Sequence, residues 1–227
     1  MAAVWAAELG AAYVVKALLW LAGGAALVGY GLRTQAHPHG RFGAANRITL
    51  ARLALAGLLV ALLGEPQWAA AWAAPGPVPL TWAVLALATL TAGLDAVDGA
   101  LARRHGLASA FGARFDMETD AAYTLVLCAL VWQAGQAGAW LLAAGLLRYV
   151  FVAAAWRWCW LAAPLPFSRR RQAVCVVQIS SLVVCLAPVM PAAWATALAA
   201  ASLALLCLSF AIDVHLLAQA CRPRPET

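Results

Sequence analysis

Asp95-Ala96-Val97-Asp98-Gly99-Ala100-Leu101-Ala102-Arg103 closes one apolar stretch, and eight residues later Gly112-Ala113-Arg114-Phe115-Asp116-Met117-Glu118-Thr119-Asp120 opens the next. On helices the first two aspartates lie at i, i+3 and the second two at i, i+4, so each pair shares a face. A helix starting at Pro79 and rising about 1.5 Å per residue travels roughly 24 Å before Asp95. All four acids are then expected near one boundary of an apolar layer, slightly below its surface. Carboxylates at such a depth repel one another and lose hydration, which makes a solvated acidic face a poor explanation and a functional role the usual one. Two divalent cations would balance the four charges, and carboxylate oxygens are the hard ligands that Mg²⁺ and Mn²⁺ favour. Glu118 points about 200° away from Asp116 on a helix and falls outside this set.

Working outward, 65% of the 227 residues are hydrophobic and 11% charged, far more apolar surface than one soluble core can hide. The chain reads as all-α and polytopic in a membrane. Segments of about 20 apolar residues recur between Pro, Gly and Arg clusters. Six of them, roughly 46–64, 78–103, 115–134, 137–162, 171–189 and 193–218, form a regular core series. A seventh, roughly 12–32, precedes them as an extra spanning or interfacial helix. Residues 1–12 carry Glu8 and no basic residue, which argues against a signal peptide. The expected organisation is an N-terminal extension over 1–39, a membrane domain over 40–220 and a cytoplasmic tail over 221–227.

The net charge of +6 comes from arginines between the apolar segments, a distribution that points away from nucleic acid. Arg33, Arg41 and Arg47, then Arg103, Arg104 and Arg114, then Arg169, Arg170 and Arg171, and finally Arg222 and Arg224 fall at alternate ends of the core series. The connections near 65–77, 135–137 and 188–193 contain no Lys or Arg. Positive-inside bias therefore puts the Arg-rich loops, the acidic motif and the C-terminus in the cytoplasm. Tryptophans such as Trp68, Trp72, Trp132 and Trp140 read as an aromatic belt at the opposite side. The six cysteines form no CxxC pair and read as small buried hydrophobes. Arg richness and high Ala content suggest a bacterial, GC-rich source and hence an inner-membrane location.

Other residues of the motif suit a phosphorylated ligand. Gly99 leaves backbone open to close approach, Arg103 offers a forked cation for phosphate oxygens, and Ser109 offers a hydroxyl. Helix packing at Gly99 and boundary anchoring at Arg103 explain those two residues equally well.

At these residues the chain resembles the CDP-alcohol phosphotransferase (phosphatidyltransferase) family, whose pattern is DxxDGxxAR, eight residues, then GxxxDxxxD. Asp95, Asp98, Gly99, Ala102, Arg103, Gly112, Asp116 and Asp120 match every fixed position. With each residue type at roughly 5–10% frequency, a chance match at one start is below about one in 10⁸. Upstream, Asn46-Arg47-Ile48-Thr49-Leu50-Ala51-Arg52 is similar to the family's N-x-x-T-x-x-R opening of its first core helix, with Ala45 where proline is common. The resemblance spans about residues 40–218 and implies a six-helix architecture.

It also implies a reaction in which an acceptor hydroxyl attacks the β-phosphorus of a CDP-linked lipid and releases CMP. By that resemblance Asp95 and Asp116 bridge two divalent ions, Mg²⁺ or Mn²⁺. Asp98 binds the first, and Asp120 binds the second while acting as general base. Asn46, Thr49, Gly99, Ala102, Arg103, Ser109 and Gly112 form the expected CDP-binding set. The partners implied are a CDP-linked lipid donor, an alcohol acceptor and membrane lipids, with a homodimer left open.

The acceptor is less legible. Ser168-Arg169-Arg170-Arg171 forms a cationic patch suited to the phosphate of glycerol 3-phosphate, or equally to anchoring on anionic lipid. Arg148, in mid-segment, is expected to face the bundle interior as an acceptor-site or structural residue. An inositol compound, phosphatidylglycerol and choline remain alternative acceptors. A divalent cation transporter is the reading from another class, since intramembrane acids also line ion paths. It expects acids across the whole depth, whereas only Glu65 falls near the far end. Asp213 and His215 are assigned no chemistry.

Overall fold

The computed structural model describes residues 2–34, 44–76, 78–105, 110–163, 165 and 168–220. Among them the chain is helical and contains no strand, in keeping with the all-α expectation. The helices are α1 (Ala2–Thr34), α2 (Ala44–Val60), α3 (Pro66–Ala73), α4 (Pro79–His105), α5 (Ala110–Gln133), α6 (Leu142–Arg157), α7 (Arg169–Cys185) and α8 (Ala192–Ala220). Short 3₁₀ turns at Ala139–Leu141 and Cys159–Ala162 flank α6. Ala- and Leu-rich sequence favours helix throughout, and Pro79 fits the first turn of α4, where a missing N–H is harmless. Gly135, at φ 71°, ends α5 in a conformation that side-chain-bearing residues avoid.

Each expected apolar segment contains a helix, with two differences. First, among the described residues Ala139–Arg157 and Ala192–Ala220 are helices long and apolar enough by themselves to cross a membrane, and Gly10–Ala26 and Pro79–Asp95 are shorter apolar helical stretches. The others fall short for physical reasons: α2 and α7 have only 17 residues each, and the first part of α5 carries the acids. Second, the expected loop at 65–77 contains α3. Pro66 presets its first turn. Trp68 is fully buried, with its indole N–H donating to Leu130 O at 3.4 Å. Trp68 is therefore a plug in the core rather than a member of an aromatic belt, because the α3 turn swings it inward against α5.

The core is formed where α2 packs on α4 and α5, α5 on α6 and α7, and α7 on α8. Leu59, Leu62, Val84, Leu127, Leu130, Leu182 and Leu186 fill it. Polar ties cross it as well: Tyr123 Oη donates to Ala88 O at 2.6 Å, joining α5 to α4, and Thr196 Oγ1 donates to Gln136 O at 2.8 Å. Large apolar residues such as Leu18, Leu19, Val150, Trp156, Trp194 and Leu208 cover the outside. That inverted surface suits lipid, where helices must satisfy their backbone internally.

The α1 helix bends at Gly10, which has φ 80° and ψ 178°. It then runs antiparallel to α2: Lys16 lies beside Leu63 and Glu65, and Trp20 beside Leu53.

Helices α5 and α6 approach closely at Gly145. A Cβ on Gly145 would stand 2.5 Å from the Leu125 Cα. Gly145→Ala should therefore push the helices apart and cost about 1–3 kcal/mol, read as a lowered midpoint for thermal unfolding in detergent. An unchanged midpoint would mean that the contact is soft.

Candidate active site

The N-terminal end of α2, the C-terminal part of α4 and the first turns of α5 meet at one end of the bundle, because consecutive helices run in opposite directions. Asp95 comes from α4, and Asp116 and Asp120 come from α5. One carboxylate oxygen from each lies within 4.8 Å of the others. The i, i+4 spacing of Asp116 and Asp120 places both on the face of α5 that meets α4, as expected from the sequence. Tyr123, about one turn further along α5, ties that helix to the Ala88 carbonyl and so holds the two helices in register. The side chains are partly accessible, with 29% exposure for Asp95, 41% for Asp116 and 22% for Asp120.

The residue that joins the three carboxylates is Arg52. Its side chain is buried, at 1% exposure. Nη1 lies 2.8 Å from Asp95 Oδ1 and 2.8 Å from Asp116 Oδ1, and Nη2 bonds Asp120 Oδ1. A planar, permanently charged fork suits such a bridge better than an ammonium would. From a buried guanidinium these charge-assisted bonds hold one oxygen of each of the three acids. Sequence reading quoted Arg52 within the Asn46–Arg52 stretch and gave it no role. Its signal was its position: a cation eight residues past the start of an apolar helix, where the cost of burial demands a partner.

One guanidinium against three carboxylates leaves two negative charges in excess. That excess, with three hard oxygens converging on one point, fits a divalent cation. Asp95, Asp116 and Asp120 are the residues here that could hold an ion. The side chain of Asp98 lies outside the described residues.

Of the expected nucleotide-binding residues, Thr49 is buried on α2, three residues before Arg52, and Gly112 is half-buried at the start of α5. The side chains of Asn46, Ala102 and Arg103 and the surroundings of Gly99 lie outside the described residues, as does Ser109 altogether.

The four arginines named for the acceptor separate. Arg148 on α6 bonds Glu118 on α5, the acid excluded from the aspartate set. Arg170 is held by α8: its Nη1 donates to Ser209 O at 2.7 Å and to Ser209 Oγ at 3.0 Å, and its Nη2 pairs with buried Asp213. Arg171 lies 3.5 Å from the same carboxylate. Arg169 is exposed. Asp213, given no role from sequence, is thus the anchor of the α7 arginines. Arg222 and Arg224 fall outside the described residues.

The model of one protein family, CDP-alcohol phosphatidyltransferase, matches residues 42–208, well over half of the chain. No curated protein and no solved structure matches.

Removing Arg52 while the acids stay should be costly, since breaking a buried charge pair costs about 3–5 kcal/mol. Arg52→Gln is expected to lower the thermal unfolding midpoint by several degrees, and Asp116→Asn in the same chain should recover part of the loss. Equal stability of Arg52→Gln and the parent chain would overturn the bridging role.

Proposed function

Because the chain belongs to the CDP-alcohol phosphatidyltransferase family, we propose that it transfers the phosphatidyl group of CDP-diacylglycerol to an acceptor alcohol and releases CMP, with glycerol 3-phosphate the first acceptor to test. The observation that carries this reading is the convergence of Asp95, Asp116 and Asp120 within 4.8 Å at the family's motif positions. All six core segments and α1 are proposed to cross the bilayer, with the aspartate end facing the cytoplasm of a bacterial cell. The alternation of Arg-rich and Arg-free connections supports that orientation.

In this reading Asp95, Asp98, Asp116 and Asp120 hold two divalent ions, Mg²⁺ or Mn²⁺. Bound there, the ions would clamp the pyrophosphate and offset charge on the departing CMP. The chain's own work is positioning. Asn46, Thr49, Gly99, Ala102, Arg103, Ser109 and Gly112 would line the CDP portion. Asp120 takes the proton of the acceptor hydroxyl as its oxygen bonds the β-phosphorus. The bond from that phosphorus to the bridging oxygen breaks, and CMP leaves with the electron pair. Arg52 keeps the Asp120 carboxylate aimed, through the bond from Nη2.

Arg148, Arg169, Arg170 and Arg171 are proposed to meet the acceptor's phosphate. Asp213 and Ser209 hold Arg170 in place for that task. Arg148, in a half-exposed pair with Glu118, can exchange that partner for a phosphate at little cost. Against a cation path, Glu65, the acid at the opposite end, is buried and paired with Lys16.

Purified protein given CDP-diacylglycerol, Mn²⁺ or Mg²⁺ and a panel of alcohols should release CMP. Silence across the panel from folded, metal-supplied protein would sink the reading. Asp120→Asn should lower kcat by about 10²–10⁴-fold while CDP still binds, so full turnover by this variant would remove Asp120 as base. With a phosphorylated acceptor, Arg148→Ala should raise KM for that acceptor about tenfold and leave KM for the donor unchanged. A rise in donor KM alone would place Arg148 on the wrong substrate.

A further inference from the structure

Helix α1 precedes the residues matched by the family, 42–208, yet it is tied to the helix that carries Arg52. One face of α1 supplies the ties. Tyr13 Oη donates to Leu58 O at 3.2 Å, Lys16 Nζ to Leu63 O at 2.8 Å and Trp20 Nε1 to Leu53 O at 2.9 Å. Lys16 also pairs with Glu65. Residues 13, 16, 17, 20 and 24 lie on one helical face, and Tyr13 and Ala17 are buried. The opposite face is apolar and outward, with Leu19 67% exposed and Val15 and Leu18 beside it.

Shape complements these bonds. A Cβ on Gly57 would come within 2.7 Å of Trp20 Cδ1, and one on Gly24 within 2.5 Å of Leu53 Cδ2. Small residues thus let the two backbones approach closely, as helices in lipid require. In hydrocarbon an indole or phenol has no water to fall back on, so each donor defends its carbonyl. Three carbonyls at three levels fix α2 along its axis and in rotation. The innermost of them belongs to Leu53, the residue next to Arg52, and the Trp20 ring lies across the turn from Leu53 to Gly57.

We propose that α1 is a positioning strut for the acidic site: through Trp20 and the Gly57 and Gly24 notches it holds α2 so that the Arg52 guanidinium reaches Asp95, Asp116 and Asp120 together. Trp20 is a positioning residue that touches none of the three acids and acts through Arg52. The strut rests on the metal-binding part of the proposed reading, and its test does not require the transferase reaction.

The readout is the Mn²⁺ dissociation constant of the full chain in detergent, measured from the free-ion electron paramagnetic resonance signal. Trp20→Phe removes the indole donor and keeps an aromatic ring, and Gly57→Ala wedges the helices apart. Each should change Mn²⁺ affinity at least about threefold, in the same direction, since coupled groups interact on this scale. Leu19→Ala on the outward face should leave it unchanged. In an Arg52→Gln background, or Arg52→Lys where the Gln variant does not stay monodisperse, Trp20→Phe should have no further effect. Parent-like Mn²⁺ affinity in both Trp20→Phe and Gly57→Ala would overturn the strut. So would an equal Trp20 effect with and without Arg52, because general softening of the bundle needs no Arg52. Coupling between Trp20 and Arg52 in a chain that releases no CMP would uphold the strut and defeat the transferase reading.

Discussion

A guanidinium with almost no exposed surface, shared among three carboxylates from two other helices, sets the terms for this bundle. Arg52 cannot sit in the apolar layer without the acids, and the acids cannot converge without a cation between them. Desolvation makes each half unfavourable alone and the assembly sharply defined, because a buried charge left without its partner costs several kcal/mol. The packing of α2 on α4 and α5 follows from this requirement as much as from the leucines that fill the space between them.

The same economy of charge organises the rest of the molecule. Arg148 meets Glu118, Arg170 and Arg171 meet Asp213, and Lys16 meets Glu65. Each pair joins two helices or a helix and its neighbouring turn, so the sparse charges act as long-range ties in a chain where only 11% of residues are charged. At the acidic centre the balance stays uneven, with more carboxylates than arginine can neutralise. An excess of negative charge at one point of a chain that is basic as a whole is what suits that point to hold a cation.

Legibility in the sequence followed the same division. The aspartates could be read because a fixed spacing on helices puts them on defined faces. Helix positions were legible because Pro, Gly and Arg punctuate the apolar runs. Arg52 was not recognised, since a lone arginine near the start of an apolar helix resembles any boundary anchor until its partners on α4 and α5 are known. Trp68 misled for a related reason: tryptophan near a helix end fits an interfacial belt, and only the turn of α3 sends it inward to Leu130. The ties of α1 to α2 leave no periodic trace, because their acceptors are main-chain carbonyls that every residue possesses.

The Lys16–Glu65 pair bears on how the chain is made. Either side chain alone in hydrocarbon is expensive, and the two belong to segments separated by the whole of α2. Lys16 emerges first during synthesis and finds its counter-charge only after the end of α2 has followed. In the proposed arrangement, with α1 across the bilayer, its stable seating awaits α2, and the two helices are best inserted as one hairpin, the charge of the first being met by the turn that follows the second.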